Sequence, residues 1–154
     1  MLPVYEQEQP ASCVAACVRM VLAGFGLLLT EEEIRTRCGQ TVIGLCLTDV
    51  TDGLSDLPVT ATVHNEWGLD DLRDEIRQFH YPIVGIDLRS IDGRFAYHAV
   101  VVGTVESNHV TVYDPQHGQG VRKLNPTTFM AAWSGADQQV LMILPKNSLC
   151  PPRL

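Results

Sequence analysis

Between residues 11 and 23 the apolar positions are Val14, Cys17, Val18, Val21 and Leu22. That is the i, i+3, i+4, i+7, i+8 spacing of one buried helix face. Ser12 stands where an N-cap belongs, Pro10 lies just upstream, and Gly24 and Gly26 close the segment. Thr30 followed three residues later by Glu33 forms a capping box and predicts a helix to about Cys38. Residues 39–59 mix Gly, Thr and Asp with scattered apolar residues, which predicts one short helix among loops. Residues 60–63 alternate weakly as a short strand. Over residues 68–79 Leu69, Leu72, Ile76 and Phe79 share a face and acidic residues crowd the first turn, as in an amphipathic helix. A central strand is expected at 82–88, a β-hairpin from 97–103 and 110–114, and a strand at 120–124. Asn125 caps a helix through Trp133, and 138–144 is a last strand. Helices first and strands later is an α+β pattern. It predicts one domain over 1–145, with a helical half (about 1–80) facing a sheet half (about 81–145). Residues 146–154 are expected to form a flexible tail.

The hairpin carries chemistry. Folded about Glu106, it sets His98 opposite Asp114. Directly opposed residues on antiparallel strands share a face, with Cβ atoms about 4.5–5.5 Å apart. A carboxylate there can accept a hydrogen bond from one imidazole nitrogen and leave the other free. That is two-thirds of a nucleophilic triad.

A nucleophile lies near the N-terminus. The first helix places Cys13 in its opening turn, where free backbone N–H groups and the helix dipole favour a thiolate. Gln7, six residues earlier, can donate a side-chain hydrogen bond beside the Cys13 N–H and complete an oxyanion hole. Gln9 competes for that role on chemistry alone.

The stretch from Gln7 through Cys13 to Phe25-Gly26 resembles the opening of the C39 peptidases, papain-like cysteine peptidases known from bacteriocin-exporting ABC transporters of bacteria. Members carry a Gln, five residues, the catalytic Cys and an Ala-rich helix ending near an aromatic-Gly pair. Their second block, a His-apolar strand, a turn and Asp-Pro-x-x-Gly, reads here as Tyr97-His98 through Gly103 and Asp114-Pro115-Gln116-His117-Gly118. The resemblance covers residues 7–133, and its spacing selects Gln7 over Gln9. Two positions depart from it: Ser12 where members usually have Asp, and Val14 where they have Gly, which narrows the approach to the thiol. The resemblance implies a papain-like fold with its active site between the two halves. Cys13 would be the nucleophile, His98 the base and then acid, Asp114 the orienter, and Gln7 the oxyanion donor. The implied substrate is a ribosomally made precursor peptide cut after Gly-Gly or a similar small pair, and the implied partner is a separate ABC exporter. The chain reads as a free-standing form or an excised domain.

Composition narrows the alternatives. The 154 residues suffice for a real core, and a net charge of −7 disfavours a nucleic-acid partner. No apolar run reaches the roughly 18 residues of a membrane span, and there is no signal-peptide core, so a cytoplasmic location is expected. Five cysteines (Cys13, Cys17, Cys38, Cys46 and Cys150) include no C-x-x-C pair. Neither a disulfide framework nor a metal site is expected, and no cofactor is implied. Taken singly, each site residue has an ordinary role: cysteine as packing, His98 as a strand histidine, Asp114 as a strand end, Gln7 as a solvated residue. Cys17 reads as packing. His64, His80, His109 and His117 read as surface or turn residues without comparable partners, and Glu31 to Glu33 as a solvated helix start. Two other functions fit the same chain: a papain-like acyl or peptidyl transferase, and a non-catalytic peptide-binding module for an exporter.

Overall fold

Helix α1 (Cys13–Gly24) buries Val14, Ala15, Ala16, Cys17, Val18, Met20, Val21 and Leu22, a wider apolar surface than the five-residue stripe suggests. The small alanines let the helix lie close to its neighbours. The computed structural model describes residues 2–146; the tail, with Cys150, lies outside the described residues apart from Lys146. Helix α2 (Glu31–Cys38) starts on the expected capping box and stops at Gly39 in the left-handed conformation. A short α3 (Leu47–Gly53), strand β1 (Val59–His64) and helix α4 (Leu69–Arg77) follow. Then come β2 (Ile83–Asp87), β3 (Tyr97–Val105), β4 (Val110–Asp114), β5 (Gly120–Leu124), α5 (Pro126–Ser134) and β6 (Val140–Pro145).

The six strands form one sheet in the order β1-β6-β2-β3-β4-β5, and every pairing is antiparallel. β1 comes from the part of the chain read as helical, yet it is a sheet edge paired along its length with β6. The sheet is covered on both sides. Helices α1, α2 and α3 pack with Val59, Ile83, Leu141 and Ile143 into one apolar cluster. Helices α4 and α5 pack with Val84, Ile86, Val140 and Met142 into the other, around Phe129 and Trp133. Two-sided burial explains why β2 and β6 are continuously apolar rather than alternating.

Residues 5–12 form a strap across these layers. The Gln7 N–H donates to the Pro115 carbonyl at 2.7 Å, and Glu6 accepts from the His117 ring and the Gly118 N–H. Glu31 accepts from the Glu8 N–H at 2.9 Å and from Arg35 at 3.1 Å. Glu31 is fully buried, so the solvated reading of that helix start is wrong for it. Ser12 also departs from expectation: it precedes α1 but its side chain does not cap the helix. Its hydroxyl instead accepts from the Gln9 N–H and donates to the Gln9 carbonyl, closing the turn that delivers Cys13.

Candidate active site

His98 and Asp114 meet, but not in the expected register. Near the hairpin turn, Val105 pairs with Val110 and Thr104 with Thr111. Continued unbroken, that register would set Asp114 opposite Val101 and turn its side chain away from His98. A bulge at Gly103 intervenes, and beyond it Val102 pairs with Val112 and Val101 with Tyr113. This sets Asp114 beside Val100, so His98 is its diagonal neighbour rather than its direct partner. The folding centre at Glu106 was therefore two positions out in the pairing, which preserves the face, where a slip of one would have lost it. Diagonal neighbours remain within reach of long side chains. The His98 Nε2 lies 2.7 Å from Asp114 Oδ1.

Asp114 is fully buried and its acceptors are well used. It also accepts from the Gln116 N–H at 2.9 Å and from Arg122 Nη1 at 2.8 Å. Burial alone would raise its carboxyl; the hydrogen bond and charge of His98, with those from Gln116 and Arg122, outweigh it and hold the group below the usual range. For His98, burial alone would favour the neutral ring. The hydrogen bond to Asp114, followed by the hydrogen bond and charge of Cys13, reverses this and lifts the imidazole to about 9. The charged ring therefore persists at neutral pH. Nδ1 is the nitrogen left free of Asp114.

Cys13 occupies the first position of α1 and is half-buried. The thiol is near enough to the ring to favour the charged imidazole. Cys17, one turn on, is fully buried, and burial first of all raises its thiol far above the ordinary value, as its packing role requires. Cys38 is likewise pushed up to about 11, chiefly by burial.

Gln7 is near His98, and both line one cleft of about 440 Å³. Its amide nitrogen donates to the carbonyls of Gln9 and Pro10, each at 3.0 Å, while its buried Oε1 has no partner. Both amide hydrogens are thus engaged by backbone carbonyls. Gln9 holds Gln40 through its side chain instead. A second cleft of about 480 Å³ contains Cys13 and Val14, with Ile43, Leu45, Tyr97, Ala99 and Ala136 on its walls. Pro10, Tyr97 and His98 line both clefts. Together these form a two-lobed groove with the imidazole at its waist.

Among the other histidines, two have carboxylate partners that the sequence reading missed: His80 with Glu75 and His117 with Glu6, each at 2.8 Å. Neither reaches a nucleophile. Arg122 was also missed, because its role depends on β5 lying beside β4. The bulge had a visible signal: a glycine inside a strand pattern. Among the described residues no group of three metal-ligating side chains occurs. Among the described residues no helix is long and apolar enough to cross a membrane.

A search of curated proteins finds no match. Among solved structures, the fold is similar to that of a double glycine motif protease from an AMS/PCAT transporter, crystallised with the leader peptide. The TM-score is 0.75 at 21% identity, covering 95% of this chain and 93% of that one. It is also similar to the peptidase domain of Streptococcus ComA, a bifunctional ABC transporter involved in quorum sensing, with a TM-score of 0.77 at 17% identity over 93% and 98% of the two chains. A C39-like peptidase from Bacillus anthracis gives 0.78 at 12% identity over 94% of each chain. The sequence model of the peptidase C39 family matches residues 1–148, and the chain belongs to that family.

Proposed function

We propose that the protein is a cysteine peptidase that cuts a precursor peptide after Gly-Gly or a similar small pair. The observation that carries the chemistry is the buried His98–Asp114 pair, at 2.7 Å, beside a cysteine on a helix N-terminus. Attack uses Cys13 in its thiolate form, which the charged His98 ring beside it favours. The thiolate attacks the peptide carbonyl. The imidazolium gives its proton to the leaving amine as the carbon–nitrogen bond breaks, leaving a thioester on Cys13. A water then gives one proton to the neutral ring and attacks the thioester; the carbon–sulfur bond breaks, restoring the thiolate beside the imidazolium, and the acid product loses its remaining proton to solvent. Asp114 holds the ring and its charge throughout. The oxyanion faces the Cys13 N–H, and Gln7 supplies a second donor by turning one amide hydrogen from the Pro10 carbonyl.

The small-pair preference is supported by family membership and by a solved relative described as a double glycine motif protease bound to a leader peptide. A separate ABC exporter is the partner that would take the product, since the ComA relative is the peptidase domain of such a transporter. The test is incubation with synthetic precursor peptides holding one Gly-Gly pair, read by product mass. The expected products are the two fragments of a cut after the second glycine, absent with Cys13→Ala. Cleavage that persists in Cys13→Ala, or products carrying an added amine in place of water, would defeat the hydrolytic reading.

A further inference from the structure

We propose that Asp137 selects a basic residue on the acyl side of the scissile bond. The proposal rests on the peptidase reading and gives the substrate a feature beyond its small pair. The cleft holding Cys13 is where the acyl part must lie, because that part stays on the sulfur. Its walls are largely apolar, and among the described residues the one acidic or basic side chain lining it besides His98 is Asp137. Asp137 is exposed, and its carboxylate makes no ion pair with another described residue. The charges of the other cleft differ: Arg94 is held by Asp92, His117 by Glu6, and Glu8 by Arg35.

The loop that carries Asp137 is held in one backbone conformation. Asp137 and Gln138 are consecutive non-glycine residues in the left-handed region, at φ 62° and 53°. Such a pair is costly unless its surroundings hold it. Here the Gln138 side-chain amide donates to the Trp67 carbonyl, and the Ser134 hydroxyl donates to Gln138 Oε1. The Gln138 N–H donates to the Trp133 carbonyl, and the Trp133 indole N–H donates to the Gln139 carbonyl. A carboxylate carried on a loop held this way meets a cation without first losing loop entropy. An ammonium or guanidinium on the bound peptide supplies the missing counter-charge.

Binding tests this apart from catalysis. Fluorescently labelled Gly-Gly peptides are titrated against the Cys13→Ala protein, with lysine, norleucine or glutamate placed in turn at each of the positions flanking the pair. Norleucine matches lysine in length without its charge. At one position before the pair, lysine should bind roughly two- to fivefold tighter than norleucine, and glutamate weaker still. The lysine advantage should shrink with added salt. It should vanish in a protein that also carries Asp137→Asn, which keeps the fold because asparagine accepts the left-handed backbone. No lysine preference before the pair, or a preference unchanged by Asp137→Asn, overturns the proposal whether or not the wild-type protein cleaves these peptides. Absent cleavage with an intact Asp137-dependent preference defeats only the peptidase reading.

Discussion

The bulge at Gly103 is what lets His98 and Asp114 share a face, so Gly103→Ala perturbs the site through the sheet. A Cβ built at Gly103 lies 2.7 Å from Tyr113 Cε2 and 3.3 Å from Cζ. The φ of Gly103 is not left-handed, so the cost is steric rather than conformational. The ring cannot simply withdraw: Tyr113 packs against the α1 side of the core, and its hydroxyl lies against the backbone of Leu2. Overpacking of this kind costs about 1–3 kcal/mol. For a chain of this length that lowers Tm by roughly 2–4 °C per kcal/mol. Tyr113 immediately precedes Asp114, so its displacement reaches the His98–Asp114 pair, and on the proposed mechanism a misplacement near 1 Å can cost on the order of 10²-fold in turnover. Urea unfolding and peptide cleavage are measured on Gly103→Ala, Tyr113→Ala and the double variant. If the clash is the cause, the double variant is less destabilised than the two single costs added, by about 1–3 kcal/mol. Additive costs, or a Gly103→Ala protein with wild-type stability and turnover, would refute the steric account of the bulge.

Other outcomes follow from the site's charges and supports. Activity should fall as pH rises through about 9, where His98 loses the proton that the leaving amine needs, and Asp114→Asn should move that limb to lower pH. His98 also contributes stability: its rise from 6.5 to about 9 corresponds to about 3 kcal/mol, fully present below pH 6.5 and lost as pH climbs to about 9. Urea midpoints across that window should therefore decline in the wild type and flatten in His98→Ala. Glu31→Ala leaves the Glu8 N–H without its acceptor and should cost about 1–3 kcal/mol in a denaturant melt. Gln7→Ala should lower kcat by about 10²–10³-fold with KM little changed; equal kcat would leave the oxyanion to backbone donors.

Much of this was legible because local signals and tertiary structure agree. The α1 stripe, the Thr30–Glu33 box and the Asn125 cap each depend on neighbours within a few residues, and each element formed there. The face shared by His98 and Asp114 was readable, but the register was not. Turn length and bulge position are settled by packing such as Gly103 against the Tyr113 ring, a contact that exists only once the sheet has formed. Glu31 reads as solvated because three acidic residues in a first turn usually are; its burial follows from the strap at Glu8, distant in sequence. Arg122 and the loop carrying Asp137 were illegible for the same reason, since their meaning lies in strands and clefts assembled from remote segments.

The central claim is that His98 makes Cys13 a standing nucleophile. The most direct measurement is the rate at which iodoacetamide alkylates each cysteine of the folded protein at pH 6, resolved by peptide mass. Cys17 and Cys38 are suppressed by burial, and Cys46 is exposed without a cationic partner among the described residues. Cys13 should therefore be alkylated first, and His98→Ala should remove its lead while leaving the Cys46 rate unchanged. Alkylation of Cys13 no faster than of Cys46, or a Cys13 rate indifferent to His98→Ala, would contradict the account.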